Sequence, residues 1–258
     1  MINRARTLAL HLIVCSSVVG ATSAFAADGK NGNLQVSGGI AMPSTSTAVF
    51  TNPAGLVSAP TALVLSAGAP EVWDTGTYRA GAQTGGPSFG VAAGLENRDR
   101  ASNDPLLLYY GAAVGSRAFS LGLAGKTGIS NSDGTNINAG FLFSAGSNAQ
   151  VGITARGLSD GVNEWGAGAA FIVGSGVDLV FDAAADDDLN NLEMKPGLRV
   201  SGGNAALSLS YATGPREQFA DGFSAGGSYQ FSAGNILELQ YNAGGDLSKY
   251  FASLTIGF

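Results

Sequence analysis

The chain has 258 residues, of which 12% are charged and 39 are glycine, and its formal net charge is −6. This acidic balance argues against nucleic acid as a partner, because phosphate recognition depends on clustered Lys and Arg. A hydrophobic content of 45% argues against a disordered chain. The glycine-rich, charge-poor composition favours a sheet with one face of small residues.

The first 26 residues have the layout of a cleaved secretory signal. Two arginines precede an apolar run from Leu8 to Val19, and small residues follow up to Ala26. The apolar run is too short to span a membrane. Removal of residues 1–26 would also remove the only cysteine and the only histidine, so the mature chain is expected to form no disulfide and no Cys/His metal site.

From Ala62 onward the sequence divides into short alternating segments separated by turn residues, which predicts strands with two different faces. An even number of strands is typical of bacterial outer-membrane barrels and places both chain ends on the periplasmic side. Fourteen strands are expected, near residues 62–69, 77–84, 87–95, 106–116, 118–126, 135–145, 149–157, 164–173, 177–184, 193–201, 205–213, 221–231, 235–243 and 248–258.

The connections between these strands alternate in kind. Those after odd-numbered strands are longer or more charged, as at 96–104 and 182–193, whereas those after even-numbered strands are tight, as at 174–176 and 202–204. Long outer loops and short periplasmic turns are the expected asymmetry of an outer-membrane barrel. A soluble sandwich has no reason to sort its loops by parity, so the barrel is favoured.

The period of two gives each strand an apolar outward face and a small or polar inward face. The charged residues predicted to face inward are Arg79, Glu96, Lys126, Arg156, Glu164, Asp178, Asp182, Lys195, Arg199, Glu238 and Lys249. Of these, we select as polar candidates for a solute path Arg79, Arg156, Glu164, Asp178, Arg199 and Glu238.

The inward mid-wall positions are mainly small: Gly90, Gly111, Gly122, Gly140, Gly152, Gly168, Ser210 and Gly226. These positions allow two interpretations. They leave room for an inserted segment or a weakly polar solute, or they relieve crowding in a curved sheet.

The last nine residues alternate strictly, with Tyr250, Ala252, Leu254, Ile256 and Phe258 on one face. They resemble the C-terminal strand of bacterial outer-membrane β-barrels, in which a terminal Phe is read by the assembly machinery. The resemblance implies an assembly signal at Tyr250, Leu254, Ile256 and Phe258. It also implies a location in the bacterial outer membrane, with the assembly machinery, lipid and lipopolysaccharide as partners.

Residues 27–61 precede the first strand and largely lack a two-residue period. A barrel of fourteen strands has a lumen that its own wall side chains do not fill. The segment is therefore predicted to lie in the lumen as a plug, or alternatively to form a loose periplasmic tail. Within it, Asn52-Pro53 opens a turn and Gly55 allows a positive φ, which predicts a compact bend with an apolar tip.

Asn52, Pro53, Ala54, Gly55 and Leu56 resemble the signature of the FadL-type family of long-chain fatty acid and hydrophobic-compound transporters. That family carries a similar motif soon after its signal, in a hatch that plugs a fourteen-stranded barrel. The sequence resemblance covers residues 48–57, and the chain departs from the family in its shorter length and trimmed outer loops.

The family resemblance implies entry past the hatch and a sideways exit through a gap in the wall at a kinked strand. Pro196-Gly197 in the tenth predicted strand is the candidate kink, because proline lacks the N–H that the ladder needs. Gly86-Pro87 at the predicted start of the third strand is a second candidate.

The sequence thus predicts an all-β fold, a transmembrane antiparallel β-barrel of about 14 strands with an N-terminal segment plugging the lumen. Residues 1–26 are the expected signal peptide, 27–61 the hatch segment and 62–258 the barrel. The expected function is passage of small hydrophobic molecules past the hatch. Two alternatives remain open: a structural barrel that anchors an envelope secretion or motility complex through protein partners, and a general porin.

Catalysis is not expected, because the mature chain lacks the histidine that most acid–base chemistry uses near neutral pH. No cofactor, no metal and no catalytic residue is assigned. Asp186-Asp187-Asp188 with Asn190 and Asn191 could bind a divalent cation, but a solvated loop is the preferred interpretation.

Overall fold

The computed structural model of the chain describes residues 39–43, 46, 48–69, 77–97, 106–116, 118–129, 135–159, 161–213, 222–243 and 250–258. The expected signal peptide therefore lies outside the described residues. The strands are Ala62–Ala69 (β1), Thr77–Gly85 (β2), Phe89–Asn97 (β3), Leu106–Gly115 (β4), Phe119–Gly128 (β5), Asn136–Ala145 (β6), Ala149–Arg156 (β7), Glu164–Gly174 (β8), Val177–Asp186 (β9), Glu193–Gly202 (β10), Ala205–Ala212 (β11), Gly222–Ser232 (β12), Asn235–Ala243 (β13) and Tyr250–Gly257 (β14).

These strands form one closed antiparallel barrel in which each strand pairs with its neighbours in chain order. β1 closes the barrel against β14, from Ala62 opposite Gly257 to Ala69 opposite Tyr250. Closure pairs the backbone N–H and C=O groups that an open sheet would leave bare at its two edges. The predicted fourteen-stranded antiparallel barrel is confirmed.

The strand ends agree with the prediction to within two residues, and the disagreement at β3 has a consequence. β3 begins at Phe89, so Pro87 lies in the connection from β2 and is no part of the wall. In this connection the Gly86 N–H donates to the Phe89 carbonyl at 2.7 Å. The second candidate for a strand kink, Gly86-Pro87, is therefore wrong.

The connections follow the predicted alternation. Two or three residues follow each even-numbered strand, whereas six to nine follow each odd-numbered strand. Gly146, Gly176, Gly203 and Gly234 in the short turns have φ values of 70°, 84°, 57° and 79°, which glycine adopts without the Cβ clash of other residues. We call the two ends of the barrel the short-turn end and the long-loop end. β1 starts, and β14 finishes, at the short-turn end.

Exposure alternates along the strands as the period of two requires. In β5, Phe119, Leu121 and Leu123 are 45%, 47% and 57% exposed, whereas Ser120 and Ala124 are 5% exposed. The outward face is apolar in the other strands as well, and its exposed members include Leu63, Leu65, Val91, Leu95, Leu108, Val114, Phe143, Ile153, Trp165, Phe171, Leu179, Phe181, Leu207, Phe231, Leu237 and Leu239.

Among the described residues, two short helices precede the barrel, Ala48–Thr51 (α1) and the 3₁₀ helix Pro53–Ser58. No helix in the described ranges is both long enough and apolar enough to cross a membrane. We call the described residues between 39 and 59 the inner segment, because the wall residues they contact face the inside of the barrel.

Candidate functional site

Asn52 is fully buried and holds the inner segment together. Its Nδ2 donates to the carbonyl oxygens of Ile40, at 2.7 Å, and of Phe141 in β6, at 3.0 Å. Its Oδ1 accepts from the Ala54 N–H at 3.2 Å and so caps the 3₁₀ helix, while Pro53 occupies a first-turn position where no N–H is needed. One side chain therefore joins two parts of the inner segment to each other and to the wall.

The backbone conformation of Gly55 differs from the positive φ that the sequence predicts. It lies inside the 3₁₀ helix and is not among the described glycines with a positive φ. The expected bend is a helical turn because the Asn52 cap and Pro53 together favour helix initiation. Gly55 matters here for close approach, since a Cβ at this position would collide with the Pro43 ring.

Leu56 anchors the inner segment in an apolar cluster with wall residues. Its side chain is 0% exposed and packs in a cluster that includes Val49, Tyr109 and Ala113. Next to it, the Ser120 hydroxyl of β5 donates to the Ala54 carbonyl at 3.0 Å. The 3₁₀ helix contacts β2 to β6.

Inward glycines provide the space for this packing. A Cβ could not be added without meeting the inner segment at Gly90 (against Leu56), Gly122 (against Pro53 and Ala54), Gly140 (against Asn52 and Pro53), Gly152 (against Ile40 and Ala41) and Gly168 (against Ala41). Most of the obstructing atoms are backbone, so rotating a side chain would not relieve the overlap. At these positions the geometry supports the interpretation that glycine leaves room for an inserted segment.

The beginning of the inner segment lies against β7 to β9. The Ile40 N–H donates to Asp182 Oδ1 at 3.0 Å, and Asp182 is 4% exposed. Ala41 and Met42 form a buried apolar cluster with wall residues of β8 and β9. Asp182 also stands opposite Lys195 of β10 in the sheet register.

Ser46 connects the inner segment to a strand on another side of the barrel. Its hydroxyl donates a hydrogen bond to Oε2 of Glu238 in β13. Asn52 contacts β6, which is seven strands from β13 in a barrel of fourteen, and therefore on the opposite side. The inner segment thus contacts β2 to β9 on one side and β13 on the other.

A charged cluster lies at the long-loop end. Glu96 is 1% exposed and accepts from Arg79 Nε and from Lys126 Nζ, both at 2.6 Å. The Arg79 guanidinium lies 4.4 Å from the centroid of the Phe50 ring, which packs edge-on against Tyr109 at 4.8 Å between centroids. The end of α1 is therefore held among two cations and an aromatic ring.

The six polar candidates do not form one site. Arg156 pairs with Glu164 at 3.1 Å, and Arg199 lies 3.6 Å from Asp178. Arg79 belongs to the Glu96 cluster, and Glu238 accepts from Ser46. Sequence reasoning placed all of these on the inward face but did not select Phe50, Tyr109 or Ser46. Tyr109 lies two residues before Gly111, which the sequence places on the inward face, and this period of two is the signal that could have identified it.

Pro196 interrupts the hydrogen-bonded ladder between β10 and β11. Pairing runs as far as Gly197 opposite Ser210, and it returns at Met194 opposite Thr213 in the same register. On the other side Pro196 stands opposite Phe181 of β9 in an unbroken ladder. The interruption is therefore short, confined to one side and without a register shift.

The proposed assembly signal lies on the outward face of β14. Tyr250 and Phe258 are 39% and 81% exposed, and Leu254 and Ile256 are half-buried on the same face. The Phe258 N–H donates to the Thr61 carbonyl at 3.2 Å.

The acidic run at 186–188 begins where β9 ends. Asp186 accepts from the Asn190 N–H at 2.6 Å and from Asn191 Nδ2 at 2.9 Å. These two hydrogen bonds stabilise the turn that follows β9. Within the described ranges, no group of three or more His, Cys, Asp or Glu side chains is placed to hold a metal ion.

No family model and no curated protein matches the chain. Similar solved structures include a quintuple mutant of the Rh. blastica porin, at 11% identity over 76% of this chain and 97% of that chain, with a TM-score of 0.46. They also include a triple mutant of the Rhodopseudomonas blastica porin, at 10% identity, the same coverage and a TM-score of 0.46. At this identity and score, no functional argument follows from the likeness.

Proposed function

We propose that the chain is a bacterial outer-membrane β-barrel whose lumen is plugged by the inner segment, and that small molecules pass only when this plug moves. The observation that carries the proposal is the pair of wall contacts on opposite sides of the barrel, made by Asn52 at β6 and by Ser46 at β13. A loose periplasmic tail would make neither contact.

The outward surface supports a place in the membrane. A continuous apolar band on a closed antiparallel barrel is what lipid requires, because the hydrocarbon cannot satisfy backbone groups or charged side chains. The secretory signal expected in residues 1–26 and the assembly signal expected at Phe258 agree with this location.

The inward wall of β11 to β14 favours hydrophilic solutes. The inward residues of β11 to β14 include the buried Ser208, Ser224, Gln230 and Thr255. A wall rich in hydroxyl and amide groups stabilises water and polar solutes and offers little to an acyl chain. The main proposal is accordingly a gated pore for small polar molecules.

Transport of small hydrophobic molecules is the second candidate. It rests on the resemblance of residues 52–56 to the FadL-type signature and on the interrupted ladder beside Pro196. Uptake of a radiolabelled long-chain fatty acid by cells that carry or lack the protein separates this candidate from the polar pore.

An envelope scaffold is the remaining alternative. A scaffold needs no moving plug, so its role in the envelope would not depend on whether the plug is released. Loss of secretion or motility after deletion, with solute uptake intact, would favour the scaffold.

The test is single-channel recording of the purified mature protein in a planar bilayer. We expect silence or rare small flickers from the wild type, and frequent conductance steps from the double variant S46A/N52A. The matched control is S210A/N148A, which also removes one hydroxyl and one carboxamide, from the inward face of β11 and from the exposed turn after β6. Large steady steps from the wild type would overturn the plugged barrel, as would continued silence of S46A/N52A.

A further inference from the structure

A group of polar side chains gathers inside the barrel beside the Ser46–Glu238 contact. We call it the lumen polar cluster, and its members, each no more than 5% exposed, are Asp178, Arg199, Ser228, Glu238, Ser253 and Thr255. In the sheet register, Ser228 stands opposite Glu238, and Glu238 stands opposite Ser253. Three oxygen-bearing side chains therefore lie side by side on β12, β13 and β14, facing the lumen.

Five atoms of this cluster have no hydrogen-bond partner in the part of the chain that the structure describes. They are Arg199 Nε, Ser228 Oγ, Glu238 Oε1, Ser253 Oγ and Thr255 Oγ1. Buried polar atoms are nearly always paired, because leaving them unpaired in a dry environment is unfavourable. Five such atoms on β10, β12, β13 and β14 point to a ligand that bonds them.

The kind of ligand follows from the balance of donors and acceptors. Arg199 offers an N–H donor and Glu238 a carboxylate acceptor, while each hydroxyl can act in either way. The Arg199 guanidinium is attracted electrostatically to both the Asp178 and the Glu238 carboxylates. A cation has no acceptor to offer and would leave the Arg199 donor unpaired, and an anion would be repelled by Glu238 and Asp178. A neutral molecule with several hydroxyl groups satisfies both.

We propose that the lumen polar cluster is a binding site for small neutral polyhydroxylated solutes, such as sugars and polyols. The site deepens the proposed function and rests on it, since it names the class of solute that the pore would pass. Because Glu238 uses its other oxygen to hold Ser46, the bound solute lies next to the plug.

The test measures binding without requiring conduction. Saturation-transfer NMR records arabinose on the full-length mature protein in detergent, with acetate and ethylammonium as charged comparators. We expect saturable binding of arabinose and none of either comparator. E238Q, S253A and T255V, of which the last nearly preserves side-chain shape, should each weaken arabinose binding at least fivefold. S210A, an inward serine of β11 outside the cluster, should bind as the wild type does.

Absence of saturable arabinose binding by the wild type would overturn the site, as would equal binding by E238Q, S253A, T255V and S210A. Preferred binding of ethylammonium or acetate would overturn the neutral-solute assignment. The proposed function fails differently, through steady conductance of the wild type or silence of the plug-released variant. If the barrel binds arabinose but never conducts, the proposed binding site is supported and the proposed pore function is rejected.

Discussion

At the residue scale, Asn52 shows how one carboxamide can decide whether a segment stays in place. Its hydrogen bonds satisfy the backbone of Ile40, Ala54 and Phe141 at once, in a position that is 0% exposed. An amide supplies two donors and an acceptor, so replacement by Asp would lose the donors and introduce a buried charge. The requirement for Asn at the start of the motif is therefore chemical as well as conformational.

We predict that N52A loosens the inner segment without opening the barrel wall. The substitution takes a donor from the buried Ile40 carbonyl and from the partly buried Phe141 carbonyl, which costs about 1–3 kcal/mol, or roughly 5- to 150-fold in the opening equilibrium of the segment. Hydrogen exchange followed by mass spectrometry should show faster exchange for residues 48–58, and unchanged exchange for β8 and β9.

The matched control for N52A is N148A, which removes the same group from an exposed turn. If N52A left the exchange of residues 48–58 at the wild-type rate, Asn52 would not hold the segment.

A second residue-scale prediction concerns the glycines that face the inner segment. G122A should displace the segment, because its methyl group would meet the backbone of Pro53 and Ala54. The open fraction in bilayer recordings should rise at least severalfold. G227A places a methyl group 3.6 Å from Leu207 Cδ2, an ordinary contact, and should change nothing. Equal open fractions for G122A and G227A would mean that Gly122 relieves crowding in the curved wall and does not make room for the segment.

At the element scale, the strands were predictable because each one repeats its own signal. Alternation in segments such as Leu121–Gly122–Leu123 fixes two faces, and the short turns carry glycines whose positive φ is required locally. The predicted β3 started too early because the sequence does not separate Pro87 in the turn from the strand that follows. The alternation of connection lengths was readable without any knowledge of the pairing.

The contacts of the inner segment were not predictable in the same way. Ser46 and Glu238 are 192 positions apart in sequence, and no local pattern relates them. Asn52 was selected for its turn chemistry, whereas its bond to Phe141 depends on where β6 stands after closure. Long-range side-chain pairing inside a lumen follows from the assembled barrel, and so it becomes visible only in three dimensions.

An element-scale prediction follows from Pro196. The pairing on either side has Gly197 opposite Ser210 and Met194 opposite Thr213, with both N–H groups of the second pair bonded at 2.9 Å. In an antiparallel ladder, hydrogen-bonded pairs recur every second residue. The next such pair after Met194 and Thr213 is Pro196 and Tyr211, so a backbone N–H at position 196 would point at the Tyr211 carbonyl. P196V should restore this bond and stabilise the barrel by about 0.5–1 kcal/mol in urea unfolding from lipid vesicles.

The control for P196V is P87V, since Pro87 lies in a connection and gains no ladder partner there. If the gap serves as a sideways exit for hydrophobic molecules, P196V should also lower fatty-acid uptake at unchanged protein level. Uptake that persists in P196V would remove the wall gap from the hydrophobic-transport candidate.

At the scale of the whole molecule, the barrel separates two environments along every strand. The outward side is apolar, whereas the inward side combines glycine, hydroxyl groups and paired charges. Glu96 can remain charged at 1% exposure because two cations flank it. An aqueous fold would invert this arrangement, so the location of the protein can be tested by placing one charge on each side of an expected membrane boundary.

We predict that L123R destabilises the barrel in a bilayer while L192R does not. Leu123 is the fifth residue of ten in β5 and 57% exposed on the outward face, so an arginine there would enter the middle of the hydrocarbon at about 2–4 kcal/mol. Leu192 is 48% exposed in the connection before β10, where an arginine would meet water or headgroups. Urea unfolding from vesicles measures the difference.

In detergent micelles, whose surface adapts to a charge, the destabilisation by L123R should be smaller. A destabilisation by L123R no larger than that by L192R would mean that the apolar band does not contact lipid, and the outer-membrane proposal would fall with it.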